Sequence, residues 1–317
     1  MNTLPRNTIL AGDVLTRLAE LPPASVDCVV TSPPYFQLRD YGVSGQLGLE
    51  ATVEDWVTNL RTVGRQLARV LKPTGALWLN LGDSFSRHPR YGSPAKSLLL
   101  APERLLVALA TDGWIVRNKV IWAKSNPMPT SVGDRLSLTY EVVYFLVRSR
   151  RYFFDLDAIR EPYRSSRARA QRVTSAESWR GPLAGSRSGL DRAYSAGHAL
   201  GKNPGDVWRM ATRGYRGAHF ATFPPDLVRR PLLATCPKTI CTQCGAPSQQ
   251  AQAASNLPAC GCGAPTVPGV VLDPFFGTGT VGVVARELGR DWIGVELNPD
   301  YITLAEKRLG LGPPPSP

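Results

Sequence analysis

No run of apolar residues in this 317-residue chain approaches the roughly 18–20 positions that a membrane-spanning helix needs. The opening stretch, MNTLPRNTILAGD, lacks the basic region and long apolar segment of a signal peptide. A cytoplasmic setting without a membrane partner is therefore the default expectation. The chain also lacks the Gly-Lys-Ser/Thr of a phosphate-binding loop, which argues against nucleotide hydrolysis of that kind. Acidic residues are few beside basic ones, 25 against 37, for a net charge of +12. Cysteine is scarce and unevenly spread, with six in all and five of them between Cys236 and Cys262. What remains is ordinary for a globular chain, 43% hydrophobic and 20% charged. The length suits one large α/β domain or two ordinary ones.

The charge is localised. Between Arg148 and Arg230 there are 17 Lys and Arg against 7 Asp and Glu, so +10 of the +12 lies in about a quarter of the chain. Most of these cations are Arg, whose planar fork suits phosphates and guanine edges. A polyanion partner accounts for this better than a merely solvated surface does. Arginine bias from a GC-rich genome is the competing explanation.

Hydrophobic periodicity predicts strands over 8–11, 26–30 and 76–81, with helices over 14–21 and 53–71 between them. A helix over 98–111 and strands over 114–122 and 141–147 follow. This is βαβ organisation, hence a largely parallel sheet covered by helices. From about 150 to 217 the periodicity fades into Arg, Ser, Gly and Ala, which reads as a loop-rich segment. Order returns with a strand over 270–273, a Gly-rich loop, a helix over 281–288, a strand over 292–296 and a helix over 299–309.

Two motifs carry chemistry. The first, Thr31-Ser32-Pro33-Pro34-Tyr35-Phe36, ends an apolar strand in a corner too stiff to continue a ladder. Taken alone, it is a rigid turn. In the second, a strand ends in Asp273, a loop carries Gly277 and Gly279, a helix follows, and Glu296 closes the next strand 23 residues later. Glycines let a backbone approach a ligand, and an acid ending the second strand is placed to bind ribose hydroxyls. An adenosine-type cofactor is the expectation. The loop reads as Asp-Pro-Phe-Phe-Gly-Thr-Gly-Thr rather than as G-x-G-x-x-G, which sets it apart from a dinucleotide fingerprint.

Together, Ser-Pro-Pro-Tyr and Asp-Pro-Phe-x-Gly-x-Gly-Thr resemble the S-adenosylmethionine-dependent DNA amino-methyltransferases, which methylate N4 of cytosine or N6 of adenine. Catalytic motif early, basic region in the middle and cofactor loop late is similar to the permuted β group of that family. The resemblance covers about residues 5–150 and 217–310. It implies a circularly permuted, Rossmann-like α/β fold with a mostly parallel sheet and helices on both faces, plus a basic loop-rich insert and a small Cys-rich insert. It implies that Ser32, Pro33, Pro34 and Tyr35 are catalytic. Cofactor contacts carry over to Asp13, Thr31, Phe223, Pro224, Asp273, Pro274, Phe275, Gly277, Gly279, Thr280, Glu296 and Asn298. The segment His219–Pro224 resembles the stretch that precedes the cofactor loop, and Trp122–Pro127 resembles a stretch near the target base.

The implied chemistry brings a poorly nucleophilic aromatic amine onto a sulfonium methyl. Ser32 Oγ and the Pro33 carbonyl would accept the amine protons, and Tyr35 would stack on a base extruded from double-stranded DNA. Ser at the first motif position is more typical of cytosine-N4 enzymes, and Asp or Asn of adenine-N6 enzymes. Carbon-5 methylation needs a nucleophilic Cys, usually after Pro, and no Pro-Cys pair occurs here. An RNA or protein amine substrate, or a non-catalytic DNA-binding relative, are the alternative readings. A cognate restriction endonuclease acting on the same site is a candidate partner.

The cysteine segment repeats a Cys-Gly-Ala-Pro ending after Cys241-x-x-Cys244 and Cys260-x-Cys262. These four thiols suit a structural zinc knuckle, with Cys236 as a spare ligand and free thiols as the alternative. The expected division is a catalytic domain over 1–150 and 217–311, a basic target-recognition region over 151–216, a Cys-rich insert over 236–266, and a disordered tail over 312–317.

Overall fold

The computed structural model describes residues 4–163, 198–212, 223–248 and 260–311. The greater part of the expected target-recognition region, the segment 217–222 and the tail 312–317 lie outside the described residues. Two compact units separate, Leu156–Gly205 and the remainder of the chain.

The larger unit is built on one eight-stranded sheet. Its strands are β1 (Thr8–Ala11), β2 (Val26–Thr31), β3 (Leu71–Leu81), β4 (Ile115–Lys124), β5 (Tyr140–Val147), β6 (Val207–Met210), β9 (Val270–Asp273) and β10 (Asp291–Glu296). A separate hairpin pairs β7 (Thr239–Cys241) with β8 (Thr266–Pro268). In space the sheet runs β1-β10-β9-β2-β3-β5-β4-β6. Counted from the Asp273 strand, the first four positions are third, second, first and fourth, and all of these strands are parallel. The amino-terminal half thus continues the sheet where the carboxyl-terminal half leaves it.

Strands buried on both faces alternate between two cores. Val29, Leu77 and Leu79 face one core with helices α1 (Val14–Glu20), α2 (Val53–Val70) and α3 (Ala101–Thr111). Cys28, Val30 and Trp78 face the other with α4 (Pro225–Thr235), α5 (Thr280–Glu287) and α6 (Pro299–Leu309). Helix α2 shows how the sequence writes this. Thr52 caps its first turn through the Asp55 N–H, and Val53, Trp56, Leu60, Val63, Leu67 and Val70 recur on one face.

The sheet is mostly parallel, as expected; strand β5 is the exception, antiparallel to both β3 and β4. The link between β4 and β5 is Pro-containing and holds no helix, and a parallel return needs a crossover of a dozen or more residues, usually helical. Two expectations about individual strands, β3 and β6, need correction. Strand β3 starts at Leu71 rather than Ala76, because Val26 pairs with Leu71 and Cys28 with Ala76, leaving Lys72–Gly75 as a bulge. Strand β6, inside the segment read as loop, pairs with β4; at four residues it is too short to show periodicity. In the smaller unit, Arg160 bonds Asp157 Oδ1 at 2.6 Å and the Gly201 carbonyl at 3.1 Å, beside a bridge between Glu161 and Lys202.

Candidate active site

The neighbours β9 and β2 carry the chain in opposite senses across the sheet, β9 on to β10 and β2 on to β3. Open α/β sheets bind ligands at the carboxyl ends of strands where the order so reverses. Here a cavity of about 460 Å³ opens at that point. Both motifs reach it, Ser32 to Tyr35 from the end of β2, and Pro274, Phe275, Gly277 and Thr280 from the loop after β9. Asp13, Phe223, Glu296 and Asn298 also line it.

Thr31, Pro224, Asp273 and Gly279 stand behind the lining. Thr31 Oγ1 donates to Asp273 Oδ1 at 2.7 Å, and the Phe275 N–H donates to the same oxygen at 3.0 Å. The two motifs are thus joined by a buried bond between neighbouring strands. Burial pushes the Asp273 carboxyl up to about 7, and its Oδ2 has no partner among the described residues. Burial raises Glu296 as well. A carboxyl at about 7 keeps a proton that the unfolded chain releases near 3.9. Stability should therefore fall as pH rises from about 4 to 7, with a slope up to about 1.4 kcal/mol per pH unit from this group. Urea unfolding across that range should show the slope in the parent chain and its reduction in Asp273→Asn.

The loop itself is a cradle. Gly277 and Gly279 take left-handed backbone angles, φ 52° and 78°. A side chain at Gly277 would meet nothing within 4 Å, so the space there is cavity. The Gly277 N–H donates to Glu296 Oε2 at 2.6 Å and the Asn298 N–H to Oε1 at 2.8 Å, holding both carboxylate oxygens in place. Each oxygen keeps a lone pair for one of two vicinal hydroxyls. Gly282, which the sequence reading passed over, completes literal G-x-G-x-x-G spacing with Gly277 and Gly279. A Cβ there would meet Phe276 Cζ at 2.8 Å, so this glycine allows close helix packing. What distinguishes the loop is its Asp-Pro-Phe lead, not its glycine spacing.

Several expected contacts have structural work of their own. Asp13 caps α1 through the Thr16 N–H and hydroxyl. The Thr280 hydroxyl accepts from Arg308 at 3.0 Å. Asn298 caps α6 through the Asp300 N–H.

At the Ser32 corner the structure adds residues that the sequence reading missed. The Tyr35 hydroxyl donates to Glu141 Oε2 at 2.6 Å, and Lys124 Nζ bonds Glu141 Oε1 at 2.6 Å. Asn80 Nδ2 donates to the Tyr35 oxygen at 2.7 Å and to Glu141 Oε2 at 2.8 Å. Ser32 Oγ lies 3.1 Å from the Tyr35 oxygen. Tyr35 has one proton, and Glu141 takes it, so the Ser32 hydroxyl must be the donor in that pair. Burial and the Glu141 charge hold the phenol well above its ordinary range. Trp56 Nε1 donates to the Pro34 carbonyl at 2.9 Å, which clamps the corner from α2. Of these partners only Lys124 lay in a recognised stretch.

Two cysteines are settled by burial. Cys28 is fully enclosed with its thiol pushed up to about 12, unsuited to act as a nucleophile. Cys236, the expected spare ligand, is buried in the core with α4 and α5, because its helix turns it toward the sheet.

The DNA methylase model for the N6 and N4 enzymes matches residues 26–307. The chain belongs to this DNA methylase family. It is 35% identical to the type II methyltransferase M.XycI of Xanthomonas campestris pv. cyanopsidis, over 96% of this chain and 87% of that one. It is 34% identical to M.Cfr9I of Citrobacter freundii, over 95% and 87%. The fold of this methylase matches that of the PvuII DNA methyltransferase (cytosine-N4-specific), with a TM-score of 0.62 at 18% identity over 96% of this chain and 87% of that one. It also matches a Thermus thermophilus protein solved with S-adenosyl-L-methionine, TM-score 0.54 at 24% identity, over 96% and 94%. No helix among the described residues of the methylase is long and apolar enough to cross a membrane.

Proposed function

We propose that this methylase transfers a methyl group from S-adenosylmethionine to N4 of cytosine in double-stranded DNA, acting on a base extruded from the helix. The observation that carries the reading is one cavity lined both by the Ser32–Tyr35 corner and by the Gly277–Glu296 cradle. The cradle suits the cofactor: Glu296 meets ribose hydroxyls, Gly277 leaves room beside its backbone, and Phe275 and Phe223 supply apolar walls. Bound there, the cofactor supplies an electrophilic sulfonium methyl. The basic region over 151–216 is assigned to target recognition, and a restriction endonuclease cutting the same site is the partner this activity calls for.

Ser32 does its work as an acceptor. With its proton turned to Tyr35, its oxygen and the Pro33 carbonyl face the amine, and each takes one amine hydrogen. Withdrawing both hydrogens from the ring plane favours a pyramidal nitrogen with its lone pair free. Alignment supplies most of the acceleration. The surplus amine proton has a path through Ser32 and Tyr35 to Glu141. Ser at this position and the cytosine-N4 specificity of the PvuII enzyme favour N4 of cytosine over N6 of adenine.

Methylated duplex DNA digested to nucleosides tests the base: N4-methylcytosine is expected, and N6-methyladenine alone would overturn the assignment. Glu141 is a positioning residue in this scheme, and E141Q separates it from a merely structural one. The variant keeps a hydrogen bond to Tyr35 but drops the charge. Charged hydrogen bonds contribute about 1.5–3 kcal/mol, so kcat should fall about 10- to 150-fold with cofactor affinity unchanged. A loss of affinity equal to the loss of kcat would contradict that role.

A further inference from the structure

The methylase reading leaves the four cysteines between β7 and β8 without a task. The chain leaves α4 at Cys236 and Pro237, runs out through β7, and returns through β8 to Gly269. The two ends are pinched together: a Cβ on Gly269 would lie 2.3 Å from the Pro237 carbonyl oxygen. Between them, the described part of the hairpin buries little that is apolar, chiefly Ile240 and Cys241. Such a segment has no core of its own to fold around.

What it has is thiols. The sulfur atoms of Cys241, Cys244, Cys260 and Cys262 all lie within 4.8 Å of one another, with Cys244 and Cys260 at 3.4 Å. A tetrahedral site with zinc–sulfur bonds of about 2.3 Å has sulfur–sulfur edges of about 3.8 Å. Both halves turn in the same way. Gly245 follows Cys244 at φ 69°, and Gly263 follows Cys262 at φ 65°. In the first half this turn aims the Gln243 and Cys244 N–H groups at Cys241 Sγ, and in the second the Cys262 N–H at Cys260 Sγ. Backbone N–H groups aimed at sulfur are the outer-shell support a thiolate ligand needs. The halves are locked to each other independently of the thiols: the Thr242 N–H and hydroxyl both donate to the Pro265 carbonyl, at 3.0 and 2.9 Å.

We propose that Cys241, Cys244, Cys260 and Cys262 bind one zinc ion as a structural tetrathiolate. Four thiols give up their protons to solvent on binding, and the resulting site carries a net charge of −2. Lys72 stands beside it, its Nζ 3.9 Å from the Cβ position of Gly245. Four sulfur ligands leave no open position, so the ion is not catalytic. Its place in the fold agrees. Strand β8 leads directly into the amino end of β9, whereas Asp273 and the cavity are at the carboxyl end, roughly 10 Å further along the strand. The ion staples the link from α4 to β9 at the amino end of that strand.

The full-length chain, purified without added zinc or chelator, tests this by elemental analysis. About one zinc per chain is expected. Reconstitution with cobalt should give the strong visible absorption of a tetrahedral thiolate site. Cys244→Ser should lower zinc content at least about fivefold, and Cys244→His, which keeps a ligand, should retain most of it. Chelation should lower the unfolding temperature and leave the dissociation constant for S-adenosylmethionine in the still-folded protein within about twofold. Zinc below about half an equivalent in the parent chain, with the four thiols free or paired as disulfides by mass spectrometry, would overturn the assignment. So would zinc content that Cys244→Ser leaves unchanged. Neither result bears on methyl transfer, so the two proposals fail separately.

Discussion

Ser32→Ala is expected to lower kcat for methyl transfer by about 10²–10³-fold, the size of effect seen when one preorganised polar group is removed from a reacting centre. The physical reason is the direction of a hydrogen-bond chain. Glu141 takes the Tyr35 proton, Tyr35 accepts the Ser32 proton, and the Ser32 oxygen, which accepts from Asn80 Nδ2 at 3.3 Å, keeps one lone pair for the amine. Alanine removes that acceptor and leaves the Pro33 carbonyl to hold the amine alone. The cradle around Glu296 is untouched by the change, because Ser32 bonds only Tyr35 and Asn80 among the described residues. Equilibrium binding of S-adenosylmethionine should therefore stay within about twofold while kcat falls, a split that a misfolded variant would not give. A Ser32→Ala enzyme with more than about a tenth of the parent kcat would remove serine from the chemistry.

The largest loss of stability should come from Lys72→Met. Lys72 Nζ meets Asp27 Oδ1 at 2.6 Å, and Asp27 is 4% exposed. The Val270 N–H donates to the other oxygen of Asp27 at 2.9 Å, so this carboxylate also pins the start of β9. Burial pushes Asp27 up, and Lys72 is the chief opposing influence. Methionine fills the volume and leaves the carboxylate buried without its cation, at a cost of about 3–5 kcal/mol. That is a large share of the 5–15 kcal/mol typical of whole proteins. Denaturant unfolding of the purified chain measures it. The double variant Asp27→Asn/Lys72→Met should recover much of the loss, because the unpaired charge is then gone. Equal losses in the single and double variants would place the cost in packing instead.

The Ser32 corner and the Asp273–Glu296 unit were legible in the sequence because each is local. Prolines announce a stiff corner wherever they fall, and a strand, two glycines, a helix and an acid keep their meaning within about 25 residues. The partners of Ser32 were hidden. Asn80, Lys124 and Glu141 come from β3, β4 and β5, and they meet because β5 runs antiparallel between the other two. Nothing local marks an Asn or a Glu in a strand as facing a tyrosine from another strand. Cys236 shows the same limit from the other side: spacing grouped it with four other cysteines, and the facing of one helix put it in the core.

Residue type and spacing along the chain were sufficient for the two motifs and the α/β class, and the resemblance those motifs carry pointed to the family. Folding in three dimensions settled which groups share one cavity, which way the hydrogen-bond chain from Ser32 runs, and which four sulfurs converge. These depend on strand direction and register, which decide what lies across a sheet and leave little trace in the spacing along it.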